Sequence, residues 1–247
     1  EEFSSELCHY GEYLREEMAS AWDLMTATGM IEGTDKDLQD YIHKGLVDLI
    51  LHEVGHTLGL RHNFKASSIY SIEQLSDPAF TKKNGISGSV MDYQPINVFD
   101  GQTFFQTRPG VYDTWAIEYA YKQPKRSGLS EEKFLEKIAS KSTDPLLRYG
   151  TDEDTYGLST RGIDPHSNAW DLTDDPMAYY EKRFEMSEEL LKIIPEYFES
   201  RTRHIGVTDN RMKLTRKFVI FIFTDACKYF VAKFNVRFFI GDGNEEF

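Results

Sequence analysis

Three histidines and a glutamate lie close together between His52 and His62. His52 and His56 are four residues apart, so on an α-helix they project from one face, one turn apart. Two imidazoles placed in this way can bind one Zn²⁺ ion, with zinc–nitrogen distances of about 2.0–2.1 Å. Glu53, beside the first histidine, could reach a water on the metal without binding the metal itself.

Gly59 gives the third histidine a route to the same metal. Glycine adopts the left-handed backbone conformation at low cost and commonly ends a helix. An unbroken helix would carry His62 about 15 Å along the axis from His52, whereas a break at Gly59 lets the chain turn back. Three protein ligands leave a fourth position for water, as in catalytic zinc sites. The sequence therefore predicts a catalytic Zn²⁺ held by His52, His56 and His62.

The alternative is that these are ordinary helix residues. A single His-x-x-x-His pair arises easily by chance and often binds nothing. The full pattern His-Glu-x-x-His-x-x-Gly-x-x-His fixes five positions, each with a separate chemical role. We therefore favour the metal site.

The length, net charge and cysteine content of the chain limit its fold and its classes of partner. A chain of 247 residues can bury one sizeable core, or one core with a smaller appendage. Its net charge of −13 argues against nucleic acid and anionic membranes, which attract basic surfaces. The longest apolar stretch, residues 218–223, is much shorter than the ~20 residues that cross a bilayer, so we expect no membrane span. Cys8 and Cys227 could form one disulfide or remain two thiols, and the oligomeric state stays open.

The spacing of apolar residues predicts a mainly helical chain. Helices are expected over residues 4–28, from residue 34 or 35 into the zinc motif, and over residues 111–122, 130–140, 176–194 and 211–235. Gly45 inside the second helix indicates close packing against a neighbour, and His43 is expected at the surface. Residues 63–110 are expected to be mostly irregular. The polar stretch 123–128 separates a zinc-binding catalytic subdomain, 1–122, from a helical C-terminal extension, 123–247.

Beyond the zinc motif, the chain resembles the metzincin clan of zinc endopeptidases. The resemblance rests on the three histidines, Gly59 and the later segment Ser-Val-Met-Asp-Tyr at 89–93. In that clan the chain returns under the metal through a tight turn that carries a methionine, and Met91 matches it. Tyr93 matches a tyrosine that lies near the metal in the astacin-like and serralysin-like branches.

The chain is more closely similar to bacterial zinc-dependent metalloproteases with a Met-zincin domain. It shares with them Gly-Leu-Arg-His-Asn-Phe at 59–64, Arg-Tyr-Gly-Thr-Asp-Glu-Asp at 148–154 and Trp-Asp-Leu at 170–172. The likeness extends from about residue 40 to about residue 200. It implies an exported bacterial protein, periplasmic, cell-surface or secreted, whose targeting segment lies outside this chain.

Metzincins place a twisted β-sheet before the zinc helix, but the residues before His52 here have helical spacing. The expected fold is therefore a mainly α, zincin-like (metzincin) core without its upstream β-sheet, followed by the helical extension. Without that sheet, we expect part of the apolar flank of the zinc helix to be exposed.

The resemblance implies a zinc-dependent endopeptidase acting on a peptide or protein substrate. Glu53 would be the general base. Tyr93 would hydrogen-bond the developing oxyanion or act as a fifth ligand, unless it is simply a core tyrosine. Met91 would form an adaptable floor beneath the ligands without touching the metal. The alternatives are a non-catalytic zinc-containing binding or scaffold domain and, less well supported, a zinc hydrolase of non-peptide substrates.

Two features of the acidic residues stay open in the sequence. Carboxylates are expected to orient the histidines, with Asp92, Asp100 and Asp113 as the candidates. The acidic run 152–154 could hold Ca²⁺, although a solvated acidic loop is the favoured interpretation.

Overall fold

The chain folds into helices joined by long, well-packed loops. The computed structural model describes residues 8–99, 102–124, 128–156, 164, 166–186, 188, 189 and 192, and no β-strand occurs among them. The helices are α1 (Tyr10–Ala27), α2 (Asp35–Thr57), α3 (Ile72–Leu75), α4 (Pro78–Asn84), α5 (Val111–Tyr121), α6 (Glu131–Ala139) and α7 (Asp152–Thr155), and residues 176–186 are also helical. The expected mainly α fold without the upstream sheet is confirmed.

Both ends of α2, the zinc helix, are fixed by local signals. The Thr34 side chain accepts a hydrogen bond from the Asp37 backbone N–H at 3.2 Å, and the Asp37 carboxylate accepts one from the Thr34 backbone N–H at 3.0 Å. This capping box starts the helix where the sequence predicted. At the other end Gly59 has φ +85°, and the Leu60 N–H donates to the Gly55 carbonyl at 3.1 Å. Gly59 therefore ends the helix, as expected, in a Schellman motif.

Helix α1 packs closely against α2 at Gly45. A Cβ atom at Gly45 would lie 2.5 Å from Met18 Cε, so no larger residue fits without displacement. The expected close packing is confirmed, and His43 is exposed, also as expected. Helix α1 begins at Tyr10 rather than near residue 4, and residues 4 and 5 lie outside the described residues.

The described part of the region 63–110 is mostly irregular, as expected, but it contains the short helices α3 and α4, and its residues 85–98 are all buried. A buried loop must satisfy its backbone polar groups without water. Gln106 does part of this, because its Oε1 accepts from the Ile86 N–H at 2.7 Å and the Ser87 N–H at 3.1 Å. Side chains from elsewhere in the chain thus replace the regular hydrogen bonds of a helix or sheet.

Contacts cross the expected boundary at residue 123. The Trp115 indole N–H on α5 donates to the Ile138 carbonyl on α6 at 2.8 Å. Arg183 and Glu17 form a buried ion pair at 2.8 Å between the 176–186 helix and α1. The division into residues 1–122 and 123–247 stays a prediction, and the helix expected at 211–235 lies outside the described residues.

One face of α2 is apolar and exposed. Its side chains recur every four residues and are between 36 % and 57 % exposed: Leu38, Ile42, Leu46, Ile50, Val54 and Leu58. The expected exposure of this flank is confirmed. None of the helices in the described residues combines the length and apolar character that a bilayer crossing requires.

The opposite, buried face of α2 carries an acidic side chain, Asp48. Its carboxylate accepts from the Gln106 backbone N–H at 3.1 Å and from the Gln94 side-chain amide at 3.4 Å. Burial raises the pKa of Asp48 from 3.8 to about 7. As the pH rises from about 4 to about 7, the unfolded chain releases this proton while the folded chain keeps it. The contribution of Asp48 to stability therefore falls through this window.

Asp48→Asn should stabilise the metal-free protein by about 2–4 kcal/mol at pH 8 and by much less at pH 4, because it removes a buried charge. The new amide could also donate to Gln94 Oε1, which is buried without a partner. Urea unfolding at both pH values in excess chelator measures the difference. Asp40→Asn, at an exposed position on the same helix, is the control. Equal gains at both pH values would contradict the raised pKa of Asp48.

Candidate metal centre

The three predicted histidine ligands converge on one point. His52 and His56 come from the last turns of α2, and the turn after Gly59 brings His62 back to face them. The ring centroids lie 4.8 Å apart for His52 and His56, 4.8 Å for His56 and His62, and 5.4 Å for His52 and His62. The structure thus places all three rings around one small volume.

The hydrogen bonds of the three rings leave one nitrogen of each ring directed at that volume. Nδ1 of His52 lies 2.7 Å from the Val90 carbonyl oxygen, that of His56 lies 3.1 Å from the Leu60 carbonyl oxygen, and that of His62 lies 2.8 Å from Asp152 Oδ1. Carbonyl oxygens only accept, so Nδ1 carries the proton in His52 and His56 and donates it. Nε2 then keeps its lone pair, as a metal ligand must.

Two of these Nε2 atoms, in His56 and His62, are buried without any hydrogen-bond partner. An unpaired buried polar atom costs about 1–3 kcal/mol, so two of them side by side call for an explanation. A bound cation supplies one. The residues present therefore fit a metal ion held by three imidazole nitrogens.

The protonation of the histidines differs with their surroundings. Burial lowers the pKa of His52 to about 3, which keeps its ring neutral. Burial, the largest single influence, lowers the pKa of His62, but the hydrogen bond and charge of Asp152 together with the nearby Cys8 thiol raise it more in total, and the pKa ends above its usual value. Asp152 therefore favours a positive charge at His62, either a proton or a metal ion.

The ring of His52 is positioned indirectly from α5. The Asp113 carboxylate accepts from Ser89 Oγ at 2.5 Å and from the Val90 backbone N–H at 2.9 Å. It thereby fixes the turn whose Val90 carbonyl accepts from His52. Asp113, one of the three candidate carboxylates, therefore orients His52 through the backbone and not by direct contact.

Of the other two candidate carboxylates, Asp92 does not provide that contact. Asp92 accepts instead from the Ser67 backbone N–H at 2.7 Å. Asp100 lies outside the described residues.

The carboxylate that does contact one of the three histidines is Asp152, which the sequence analysis assigned to an acidic loop. Asn63 ties this segment to the loop that carries His62: its side-chain amide donates to the Arg148 carbonyl at 3.0 Å, and its Oδ1 accepts from the Gly150 N–H at 3.2 Å. The Phe64 N–H also donates to the Gly150 carbonyl, at 2.7 Å. These bonds hold Asp152 beside His62.

The neighbours of Asp152 in the acidic run also have protein partners. Glu153 pairs with Arg61 at 2.7 Å, and Asp154 accepts from the Thr151 backbone N–H at 2.9 Å. Glu153 and Asp154 are nevertheless exposed, so the expectation of a solvated acidic run is confirmed for them, whereas Asp152 is half-buried beside His62. No local spacing rule links residue 152 to residue 62, and the shared motif at 148–154 was the only signal in the sequence.

Met91 lies under the zinc helix. It is fully buried, and a Cβ atom at Gly55 would lie 2.1 Å from its Sδ. Gly55 sits between the two α2 ligands, so the absence of a side chain there lets the methionine turn approach. The Met91 carbonyl also accepts from the Asn63 N–H at 2.9 Å, which ties the turn to the residue after His62.

Tyr93 lies beside the ligands. Its ring centroid is 4.8 Å from that of His62 and 5.5 Å from that of His52, and the side chain is buried. Burial raises the pKa of Tyr93 above its usual value, and a hydrogen bond with Cys8 raises it further. Its hydroxyl is therefore protonated, and the residue lies beside His52 and His62.

Glu53 and Cys8 complete the surroundings of the site. Glu53 is exposed on α2, immediately after His52. Cys8, which the sequence did not indicate, is a free thiol whose Sγ lies 3.4 Å from His52 Nε2 and 3.3 Å from the Tyr93 hydroxyl. Together with the three histidines it forms a group that could hold a metal ion.

Removing the Asp152 carboxylate should weaken zinc binding by about 10–100-fold in an Asp152→Ala variant, because His62 would lose the acceptor that orients its ring. Competition with a chromophoric zinc chelator measures the change. Glu153→Ala is the matched control: it lies on the same helix and loses only an exposed ion pair, which contributes little. An Asp152→Ala affinity equal to that of the control would exclude this role of Asp152.

Comparison with known proteins identifies the family. No curated protein and no solved structure matches this chain. A family model described as Met-zincin matches residues 34–217, from the N-cap of α2 onward. The matched residues include the three histidines, Met91 and Asp152, and exclude Cys8. Because the match covers more than half of the chain, this protein belongs to the Met-zincin family.

Proposed function

We propose that this protein is a zinc-dependent endopeptidase in which Glu53 is the general base. The observation that carries the proposal is the convergence of three histidines whose Nε2 atoms face one volume, two of them buried without a partner. Membership of the Met-zincin family supports it. The proposed substrate is a peptide or protein.

The residues around the site suit this chemistry. When bound, zinc supplies Lewis-acid chemistry, making water acidic near neutral pH and polarising a carbonyl. His52, His56 and His62 would hold the ion. The Val90 carbonyl and the Asp152 carboxylate keep two of the rings oriented toward it.

Glu53 would transfer the proton. Its carboxylate follows the first ligand in the chain and is exposed, so water and substrate can reach it. In the proposed reaction it takes a proton from the attacking water and delivers it to the leaving amine nitrogen. A binding module would have no use for a glutamate at this position.

Tyr93 would act on the substrate oxygen. A protonated phenol beside the ligands can donate a hydrogen bond to the negative charge that develops on the carbonyl oxygen. The other proposed role is that of a fifth ligand. In this structure the hydroxyl lies 3.3 Å from Cys8 Sγ, and either atom can be the donor in that contact.

A second candidate function is a zinc-containing binding or scaffold domain without catalysis. The observation in its favour is Cys8, since a site with four protein ligands is typical of structural zinc. Glu53 and Tyr93 would then have no chemical role.

Cleavage of a broad peptide library distinguishes the two functions. Full-length protein and its Cys8→Ala variant would be stripped of metal with a chelator and reloaded with Zn²⁺, and the products read by mass spectrometry. We expect peptide cleavage that disappears on stripping and returns at one zinc per chain. Zinc-loaded Cys8→Ala protein that cleaves nothing would exclude the endopeptidase and favour the scaffold.

A further inference from the structure

We propose that Cys8 is the fourth zinc ligand, so that its thiolate closes the metal site to water until the cysteine is displaced. The ligation is inferred from the geometry of the described residues alone. The consequence for peptide hydrolysis rests on the proposed function.

The distances fit a tetrahedral site. Zinc–sulfur and zinc–nitrogen bonds of about 2.3 Å and 2.0–2.1 Å give a tetrahedron with a sulfur–nitrogen edge of roughly 3.5 Å. Cys8 Sγ lies 3.4 Å from His52 Nε2. The ligand atoms of Cys8 and the three histidines all lie within 4.8 Å of one another. Only a small inward movement of the more distant atoms would complete the tetrahedron.

The start of α1 holds Cys8 in this place. Tyr10, two residues later, is fully buried, with its ring centroid 4.6 Å from that of His52 and 5.1 Å from that of Tyr93. The first turn of α1 is thereby packed against a zinc ligand and the site tyrosine. Cys8 approaches the histidines because its helix is anchored there.

Ligation would engage two parts of the site at once. On binding the ion, the Cys8 thiol releases its proton to solvent and the sulfur–hydrogen bond is replaced by a sulfur–zinc bond. The Tyr93 hydroxyl, 3.3 Å away, can then donate to the thiolate. The Cys8 sulfur would then occupy the metal position that the attacking water needs, and it would engage the Tyr93 hydroxyl that the substrate needs.

This ligand is additional to what the family match covers. The match begins at residue 34, whereas Cys8 and α1 precede it. The three histidines belong to the matched part and suffice for a three-ligand site. Cys8 converts that site from open to closed.

Cobalt substitution tests the ligation without any measurement of activity. A thiolate bound to Co²⁺ gives a charge-transfer band in the near ultraviolet that histidine and oxygen ligands do not give. We expect the band in the wild-type chain and in Cys227→Ala, which keeps Cys8 as its single cysteine. We expect its loss in Cys8→Ala and in Cys8→Ser, the latter keeping a hydroxyl that can still bond Tyr93. Both variants should retain bound cobalt and wild-type helical circular dichroism.

X-ray absorption by the zinc form gives a second measurement, with one sulfur at about 2.3 Å expected in wild type and none in Cys8→Ser. A wild-type spectrum without sulfur ligation would overturn the proposal. So would a band that persists in a folded Cys8→Ala or Cys8→Ser protein.

The closing role has its own readout. If Cys8 closes the site, only a minor population of wild-type molecules, commonly about 0.1–10 %, has an open site at any time. Cys8→Ala should therefore hydrolyse peptides at least ~10-fold faster than wild type. Equal and measurable rates in the two proteins would overturn the closing role. Sulfur ligation in wild type together with an inactive Cys8→Ala protein would leave Cys8 as a ligand and overturn the endopeptidase instead.

Discussion

Replacing Glu53 by glutamine should lower the rate of peptide hydrolysis by about 10²–10⁴-fold while leaving the zinc in place. Glutamine has nearly the same shape as glutamate but cannot accept the proton of the attacking water. Glu53 is exposed and outside the group of four side chains that could hold the metal, so its replacement should leave zinc binding intact. Turnover and zinc content would be measured on the same samples.

The comparison is best made in a Cys8→Ala background, where the proposed block is absent. Glu136→Gln, an exposed glutamate on α6, is the matched control and should keep full activity. Near-normal turnover in Glu53→Gln would exclude this residue as the base and return the scaffold interpretation to first place.

Replacing His52 by alanine should abolish tight zinc binding. His52 is fully buried, and its ring is fixed by the Val90 carbonyl at 2.7 Å, so the substitution removes a preorganised ligand. Loss of a partner that only orients a ligand costs about 10–100-fold in metal affinity, and we expect loss of the ligand itself to cost at least ~100-fold. Zinc content after dialysis against a competing chelator measures the effect.

His43→Ala is the control for this substitution, since His43 is an exposed histidine on the same helix. It should bind zinc as wild type does. If His52→Ala and His43→Ala kept equal zinc, the metal would lie elsewhere in the protein.

The local parts of the site were predictable because their signals lie within a few residues of one another. Thr34 and Asp37 start the zinc helix through a capping box, and Gly59 ends it with a positive φ that favours glycine. These signals fix where His52 and His56 lie and let His62 return. They depend on backbone geometry and on residues close together in the chain, so they can be recognised in the sequence.

The features of the site that were not predicted from the sequence depend on contacts between residues far apart in the chain. Asp152 reaches His62 over 90 residues, and the structure that brings it there is the pairing of Asn63 and Phe64 with residues 148–150. Asp113, by contrast, was one of three candidate carboxylates, but its carboxylate binds the backbone of the methionine turn. The spacing of residues in the sequence does not indicate which carboxylate contacts a histidine and which one binds the backbone instead.

The position of Cys8 at the site could not be predicted from the sequence for a related reason. A single cysteine 44 residues before the first histidine gives no spacing signal, and it reaches the site because Tyr10 anchors α1 against His52. The exposure of the apolar flank of α2 was predictable. Its large apolar side chains are visible in the sequence, and no β-sheet was expected to cover them.

The most direct test of the three-histidine centre is zinc content per chain in a Cys8→Ala protein, with and without His62→Ala, under a competing chelator. The Cys8→Ala background matters because a thiolate could otherwise compensate for a lost histidine. We predict one zinc per chain with His62 present and a sharp loss without it. Full stoichiometric zinc in the Cys8→Ala/His62→Ala protein would contradict the three-histidine centre.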